Sequence, residues 1–318
     1  MHVLVTGASG FVGSALVRHL ASRGLEVTAV VRRPRVGWDA SANGSVRVAL
    51  REIGPSTDWA DVLTGVDTVV HLAARVHVGP DDPNVEEYHS VNVGGTAQLA
   101  THAARAGVRR FIFVSTVKVH GESSSGRPIR ETDPFMPGDE YAASKVEAES
   151  AVRRVADETG IETVTIRPPL VYGPGVRANF LQIMRAVARG VPLPLGRVEN
   201  RRSMIYLGNL VSVLERCVVD GRAAGETFLV CDGPAVSTPE LVRMLARAMG
   251  RRPRLVGVPP AWLRVAGVMT GRSHVVRRLC ESFEVDGSRV SRVLDWHPPF
   301  SMEEGVEETV RWFRDSYR

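Results

Sequence analysis

Tyr141 and Lys145 stand four residues apart in the run Tyr-Ala-Ala-Ser-Lys, in a chain with five tyrosines and two lysines. That supply predicts about 0.03 such pairs by accident in 318 residues, so the spacing carries information. On a helix, a spacing of four puts both side chains on one face. An ammonium so placed is expected to lower the phenol's pKa and ready its Oη for proton exchange near neutral pH. The lysines are themselves conspicuous, because 38 of the 40 basic residues are arginine and only Lys118 and Lys145 are not. Lysine is a compact charge whose pKa moves with its surroundings, whereas arginine is a broad fork that stays charged.

A second constellation lies at the start of the chain. Gly7, Gly10 and Gly13 follow the apolar run Val3-Leu4-Val5-Thr6 and precede a helical pattern with Val12, Ala15, Leu16 and Leu20 apolar. Glycines between a strand and a helix permit a tight turn. They also let backbone N–H groups approach a pyrophosphate at the helix N-terminus.

The elements that position these residues alternate. Strand-like runs cover residues 2–6, 27–31, 67–72, 110–115 and 162–167. Helical patterns lie between them, from residue 83 to a stop at Gly107 and from Asp139 to a stop at Gly160. Residues 32–56 read as irregular. Strands with few polar residues, alternating with helices, imply a parallel sheet covered on both faces. After Arg167 the texture changes to helices separated by loops. One opens at Thr238-Pro239-Glu240 with Thr238 as N-cap, and another at Ser301 with Glu303 and Glu304.

Composition bounds the function classes. At 318 residues, 44% hydrophobic and 24% charged, the chain is globular and long enough for two domains. No apolar run reaches the ~18 residues of a membrane span; the best candidate, residues 255–271, is interrupted by Pro259, Pro260 and Arg264. The strand-like start at His2 reads against a leader peptide. Three cysteines without a C-x-x-C pair indicate a reduced, cytoplasmic chain with neither disulfides nor a metal site. The net charge of +5 invites a nucleic-acid reading. However, the arginines read as spread along the chain and interleaved with acids, which favours a small polyanionic ligand.

The G-x-x-G-x-x-G spacing resembles that of the extended short-chain dehydrogenases/reductases, the NAD-dependent epimerase/dehydratase family. The resemblance extends over nearly the whole chain. His71-Leu72-Ala73-Ala74 is similar to the segment lining the cofactor, Asn92-Val93-Gly94-Gly95-Thr96 to the N-x-x-G-T motif, and Arg167-Pro168-Pro169-Leu170-Val171-Tyr172-Gly173-Pro174-Gly175 to the turn between domains. It implies an α/β fold: a Rossmann-type doubly wound parallel sheet over residues 1–167, with about 203–225 returning to it. A smaller mixed substrate-binding domain, 168–318, would follow.

The resemblance also assigns roles. Cofactor contacts fall to Gly7, Gly10, Phe11, Val12, Gly13, Glu52, Ile53, Leu72, Ala73, Ala74, Asn92, Tyr141, Lys145 and Pro168. In NAD-using relatives an acid ends the second strand; here that position is Val31, followed by Arg32 and Arg33. A 2′-phosphate is then not repelled, and two guanidinium groups stand ready to bind it, so NADP(H) is expected over NAD(H). The catalytic hydroxyl aligns with Thr116, and Ser115 would replace it if the register slipped by one.

On the substrate side, Asn179, Phe180, Leu195 and Arg202 resemble the contacts to a UDP-sugar, and Arg75 and His77 fall at the mouth of the site. Lys118 would add a positive charge beside the sugar. Relatives that act as 4,6-dehydratases carry Asp-Glu after the hydroxyl; here Val117 and Lys118 stand there, which argues against dehydration.

The expected activity is therefore oxidoreduction at C4 of a UDP-hexose or UDP-N-acetylhexosamine in surface polysaccharide precursor synthesis. Arg32 and Arg33 tip it toward 4-keto reduction, with 4-epimerisation as the alternative. A dinucleotide-sensing regulator is a third reading, opposed by the intact tyrosine–lysine pair. A homodimer is compatible with the sequence but not required by it.

Overall fold

The structure is a computed structural model describing residues 1–33, 45–76, 85–124 and 126–317. Seven strands form one parallel sheet: β1 (His2–Thr6), β2 (Glu26–Val31), β3 (Val46–Leu50), β4 (Thr68–His71), β5 (Arg110–Val114), β6 (Glu162–Arg167) and β9 (Thr227–Leu229). Their order is β3-β2-β1-β4-β5-β6-β9. A separate two-stranded parallel sheet pairs β7 (Leu170–Tyr172) with β8 (Met204–Tyr206).

The central strands bury nearly every side chain, as apolar runs in a doubly covered sheet must. One core lies under α1 (Phe11–Ser22), the other under α2 (Ala60–Leu63) and the helices after it. The expected helix from residue 83 is interrupted. A turn of α3 (Val85–Tyr88) runs through a π-helical stretch (His89–Gly94) into α4 (Gly95–Arg105). The irregular reading of residues 32–56 also needs correction, because β3 lies there. It is an edge strand whose Val48 and Leu50 stay exposed, so no apolar run announces it.

α5 (Glu140–Thr159) is capped by Asp139, whose Oδ1 accepts from Ala142 N at 2.8 Å, and stops at Gly160 in the left-handed region. After β7 come α6 (Ala178–Ala188) and then β8. α7 (Leu207–Val219) packs on α1, and β9 joins the main sheet, so the chain returns to the first half after leaving it.

The remainder is helical: α8 (Thr238–Ala248), α9 (Pro260–Met269), α10 (Ser273–Cys280), α11 (Ser288–Leu294) and α12 (Met302–Ser316). The cap of α8 is Ser237 rather than Thr238, because Ser237 and Glu240 close a reciprocal capping box. Ser301 and Glu304 do the same for α12.

Candidate functional site

Strand order reverses between β1 and β4, and the glycine turn sits at the carboxyl end of β1. Gly7 has φ +64°, and a Cβ there would lie 2.9 Å from Ala73 N. A Cβ on Gly13 would fall 2.2 Å from Gly7 O, so strand, turn and helix close only with glycine at both positions. Thr6 Oγ1 accepts from Leu72 N and Ala73 N at 3.2 Å, tying the two strand ends together.

A cavity of about 800 Å³ opens beside this turn, lined by Gly10, Phe11, Arg32, Arg33 and Glu52 among others. Arg18 of α1 and Arg177, just before α6, line it too; neither was expected from the sequence. Among the described residues, none of these four arginines has a hydrogen bond or ion pair within the protein. No acid occupies the first turn of α1. An elongated dianion fits these surroundings: the turn and the helix N-terminus meet a diphosphate, and the guanidinium groups supply counter-charge.

A second cavity, about 320 Å³, is lined by Thr116, Lys118, Asn179, Phe180 and Arg202, five of the expected side chains, and also by Arg177 and Arg278. Arg202 is half-buried, donates to Glu281 O at 3.0 Å, and has its pKa lowered by partial burial and by Arg278. Two guanidinium groups on the wall of one mainly apolar pocket can hold an anion. Nothing in the spacing of Arg278 announces it. Arg177 lines both cavities.

Thr116 stands on the cavity wall, its Oγ1 accepting from Lys118 N at 3.3 Å. Ser115 is buried, its hydroxyl has no partner among the described residues, and it does not line that wall. Lys118 reaches the wall as expected, but its ammonium is paired with Asp139 and lies 3.9 Å from Glu122.

Lys145 is buried, donates to Val114 O at 2.7 Å, and lies 4.0 Å from the centre of the Phe113 ring. Burial depresses its pKa to about 7. Burial, with Asp139 nearby, raises the Tyr141 phenol above its ordinary value. The expectation that Tyr141 is lowered by its lysine is therefore corrected. In the low-dielectric interior both groups favour their neutral forms, because desolvation is the largest effect on each.

A buried network holds this set in place. Arg167 donates to both carboxylate oxygens of Glu149 at 3.0 and 2.6 Å, to His120 Nε2 at 2.9 Å and to Glu131 O at 2.9 Å. His120 therefore keeps its proton on Nδ1, toward Pro134 O. Burial and Arg167 lower its pKa. The turn after Thr116 is thus joined to the helix carrying Tyr141 and Lys145.

Other expected residues sit further back. Asn92 is buried; its Oδ1 accepts from Arg75 N at 2.7 Å and its Nδ2 donates to Ser144 Oγ at 2.9 Å, so it braces β4 against α5. Arg75 pairs with Glu87. Ile53 packs against Gly95. Pro168 is buried and its carbonyl accepts from Val117 N at 3.0 Å. Val12 and Leu72 pack on the main core. Ala74 follows β4, half-buried. Leu195 is buried and not among the residues lining either cavity. His77 lies outside the described residues.

The family described as "NAD dependent epimerase/dehydratase family" matches residues 3–231. The chain belongs to that family. It is 39% identical to a UDP-glucose 4-epimerase of Vibrio cholerae, over 98% of this chain and 95% of that protein. It is 31% identical to a dTDP-glucose 4,6-dehydratase of Streptomyces griseus, over 98% and 94%. Among solved structures it resembles MoeE5 in complex with UDP-glucose and NAD: TM-score 0.80, 28% identity, all of both chains covered. The doubly wound parallel sheet is that of this epimerase/dehydratase family. No helix among the described residues is long and apolar enough to cross a membrane.

Proposed function

We propose that this protein is a UDP-hexose 4-epimerase, taking residues 1–167 with the return segment 203–225 as the cofactor half and 168–318 as the substrate half. The observation that carries the reading is the second cavity, whose wall brings Thr116 together with Arg202 and Arg278. A sugar diphosphate fits it, with its charge on the arginines and its ring toward Thr116. The 39% identical UDP-glucose 4-epimerase supports inversion at C4.

The first cavity fits a nicotinamide dinucleotide, with Gly10, Phe11, Arg32 and Arg33 on its wall. When bound, that cofactor supplies the hydride acceptor and donor for C4. Thr116 Oγ1 holds the sugar O4 by hydrogen bonding. Tyr141 Oη takes the O4 proton and later returns it. Lys145 Nζ, with a pKa of about 7, favours the phenolate when protonated. Arg202 and Arg278 grip the diphosphate while the ring is free to turn. Val117 and Lys118 supply no base for C5, so the reading excludes 4,6-dehydration.

A 4-keto reductase using NADPH is the second reading, favoured by four arginines on the first cavity that have no hydrogen bond or ion pair among the described residues. One experiment separates the two: incubate the purified protein with UDP-glucose and follow UDP-galactose, while mass spectrometry identifies any retained cofactor. Epimerisation with NAD retained supports the proposal. No epimerisation, with oxidation of added NADPH by a UDP-4-keto sugar, replaces it with the reductase.

A further inference from the structure

The chain's arginines are not interleaved with acids everywhere, as the sequence reading had it. Between Glu240 and Glu281 there are nine arginines and no acidic residue. α9 and α10 lie in this stretch. α9 turns its large apolar side chains outward: Trp262 is 69% exposed, Val265 59%, Val268 70% and Met269 81%. Trp262, Val265 and Met269 follow helical i, i+3, i+7 spacing and share one face. Only Gly267 of α9 is buried, where a Cβ would lie 2.8 Å from Val276 of α10. α10 buries no residue fully.

We propose that this helix pair docks on an anionic lipid bilayer. A short helix with Trp, Val and Met on one face and arginine around it lies in the headgroup region, apolar side inward. With ten residues, α9 cannot span the bilayer. Charge decides between lipid and a second copy. Two-fold pairing of this face would set Arg264 and Arg272 against their own counterparts, whereas lipid phosphates complement them. Among the described residues, neither guanidinium group has a hydrogen bond or ion pair in the fold. Arg278 and Leu279 of α10 line the second cavity, so docking would bring that cavity's arginine edge near the lipid surface.

The test is co-sedimentation of the full chain with vesicles of phosphatidylcholine alone or mixed with phosphatidylglycerol. The protein should pellet with the mixed vesicles about tenfold better than with the neutral ones, and high salt should erase the difference. The variant Trp262→Ala/Val265→Ser/Met269→Ser should lose binding with its Tm unchanged, since these side chains are exposed. Should it fail to fold, Arg264→Gln/Arg272→Gln must lose most of the salt-sensitive binding. Equal binding to both vesicles, no binding to either, or retention of binding in the folded apolar variant overturns the proposal. So does a concentration-dependent dimer that the apolar variant dissociates.

Discussion

Lys118 is ion-paired with Asp139, and the same Asp139 carboxylate caps the helix that carries Tyr141. The cap's negative charge contributes to the raised pKa of the tyrosine, and an ammonium paired with that carboxylate is expected to offset it. Lys118 is therefore expected to act on the tyrosine through Asp139.

This relationship predicts opposite shifts from two substitutions. Asp139→Asn keeps a good N-cap but removes the charge, so the rising limb of the pH–rate profile should move toward acid. Lys118→Met leaves the carboxylate unopposed and should move the same limb toward alkali. Stopped-flow turnover across pH reads both. Shifts in the same direction would show that Lys118 works by direct substrate contact instead.

Tyr141→Phe should abolish turnover and leave UDP binding by calorimetry within about twofold, since only the proton-transferring hydroxyl is lost. Thr116→Ala should lower kcat about 100-fold, near 3 kcal/mol of barrier, while Thr116→Ser stays active. Ser115→Ala should be nearly silent, because that hydroxyl lies off the cavity wall. A dead Ser115→Ala beside an active Thr116→Ala would move the catalytic hydroxyl by one residue.

Lys145 has a pH signature in stability. Its pKa is about 7 in the fold and near the ordinary lysine value, 10.5, in the unfolded chain. Between these the unfolded chain binds more protons, so this group's contribution to stability rises with pH across that window and levels off above it. Below about pH 7 the cost of burying the ammonium is fully present. Lys145→Met should be more stable than the parent at pH 6, by on the order of a few kcal/mol, and the gap should close by pH 10. Urea midpoints at the two pH values measure it; a gap that does not depend on pH would contradict the buried, neutral-leaning lysine.

The arginines on the first cavity carry the cofactor prediction. On the second, reductase reading NADP(H) should bind about tenfold tighter than NAD(H) at low salt, with the difference narrowing as salt rises, whereas the epimerase reading expects NAD(H) to bind at least as tightly. Replacing Arg32 and Arg33 with alanine should erase the preference and leave NAD(H) affinity nearly unchanged. Fluorescence titration in two buffers suffices, and equal affinities in the parent protein would dismiss a 2′-phosphate site.

Arg177 borders both cavities and should behave differently from its neighbours. Arg18→Ala should weaken the dinucleotide alone, and Arg278→Ala UDP alone, whereas Arg177→Ala should weaken both by several-fold. Calorimetry of each ligand, alone and with the other present, distinguishes these patterns. A loss confined to one ligand would assign Arg177 to that cavity only.

Much of this was legible in the chain because it is set locally. The turn at Gly7, Gly10 and Gly13, the alternation of apolar runs and helical patterns, the helix start at Asp139 and the stop at Gly160 each depend on neighbours a few residues away. β3 escaped notice because an edge strand with exposed Val48 and Leu50 has no apolar signature. β7, β8 and β9 escaped because three residues are too few to show a period.

What the tertiary structure alone decided is long-range charge and burial. Arg18, Arg32 and Arg177 meet on one cavity, and Arg202 meets Arg278 on another, from elements far apart in sequence. Tyr141 and Lys145 share a helix face as their spacing requires, yet their protonation runs against the local expectation. Desolvation is imposed by every element packed around them, and Asp139 adds its charge to the tyrosine. Spacing sets which side chains are neighbours, and the dielectric around them sets which charges they keep.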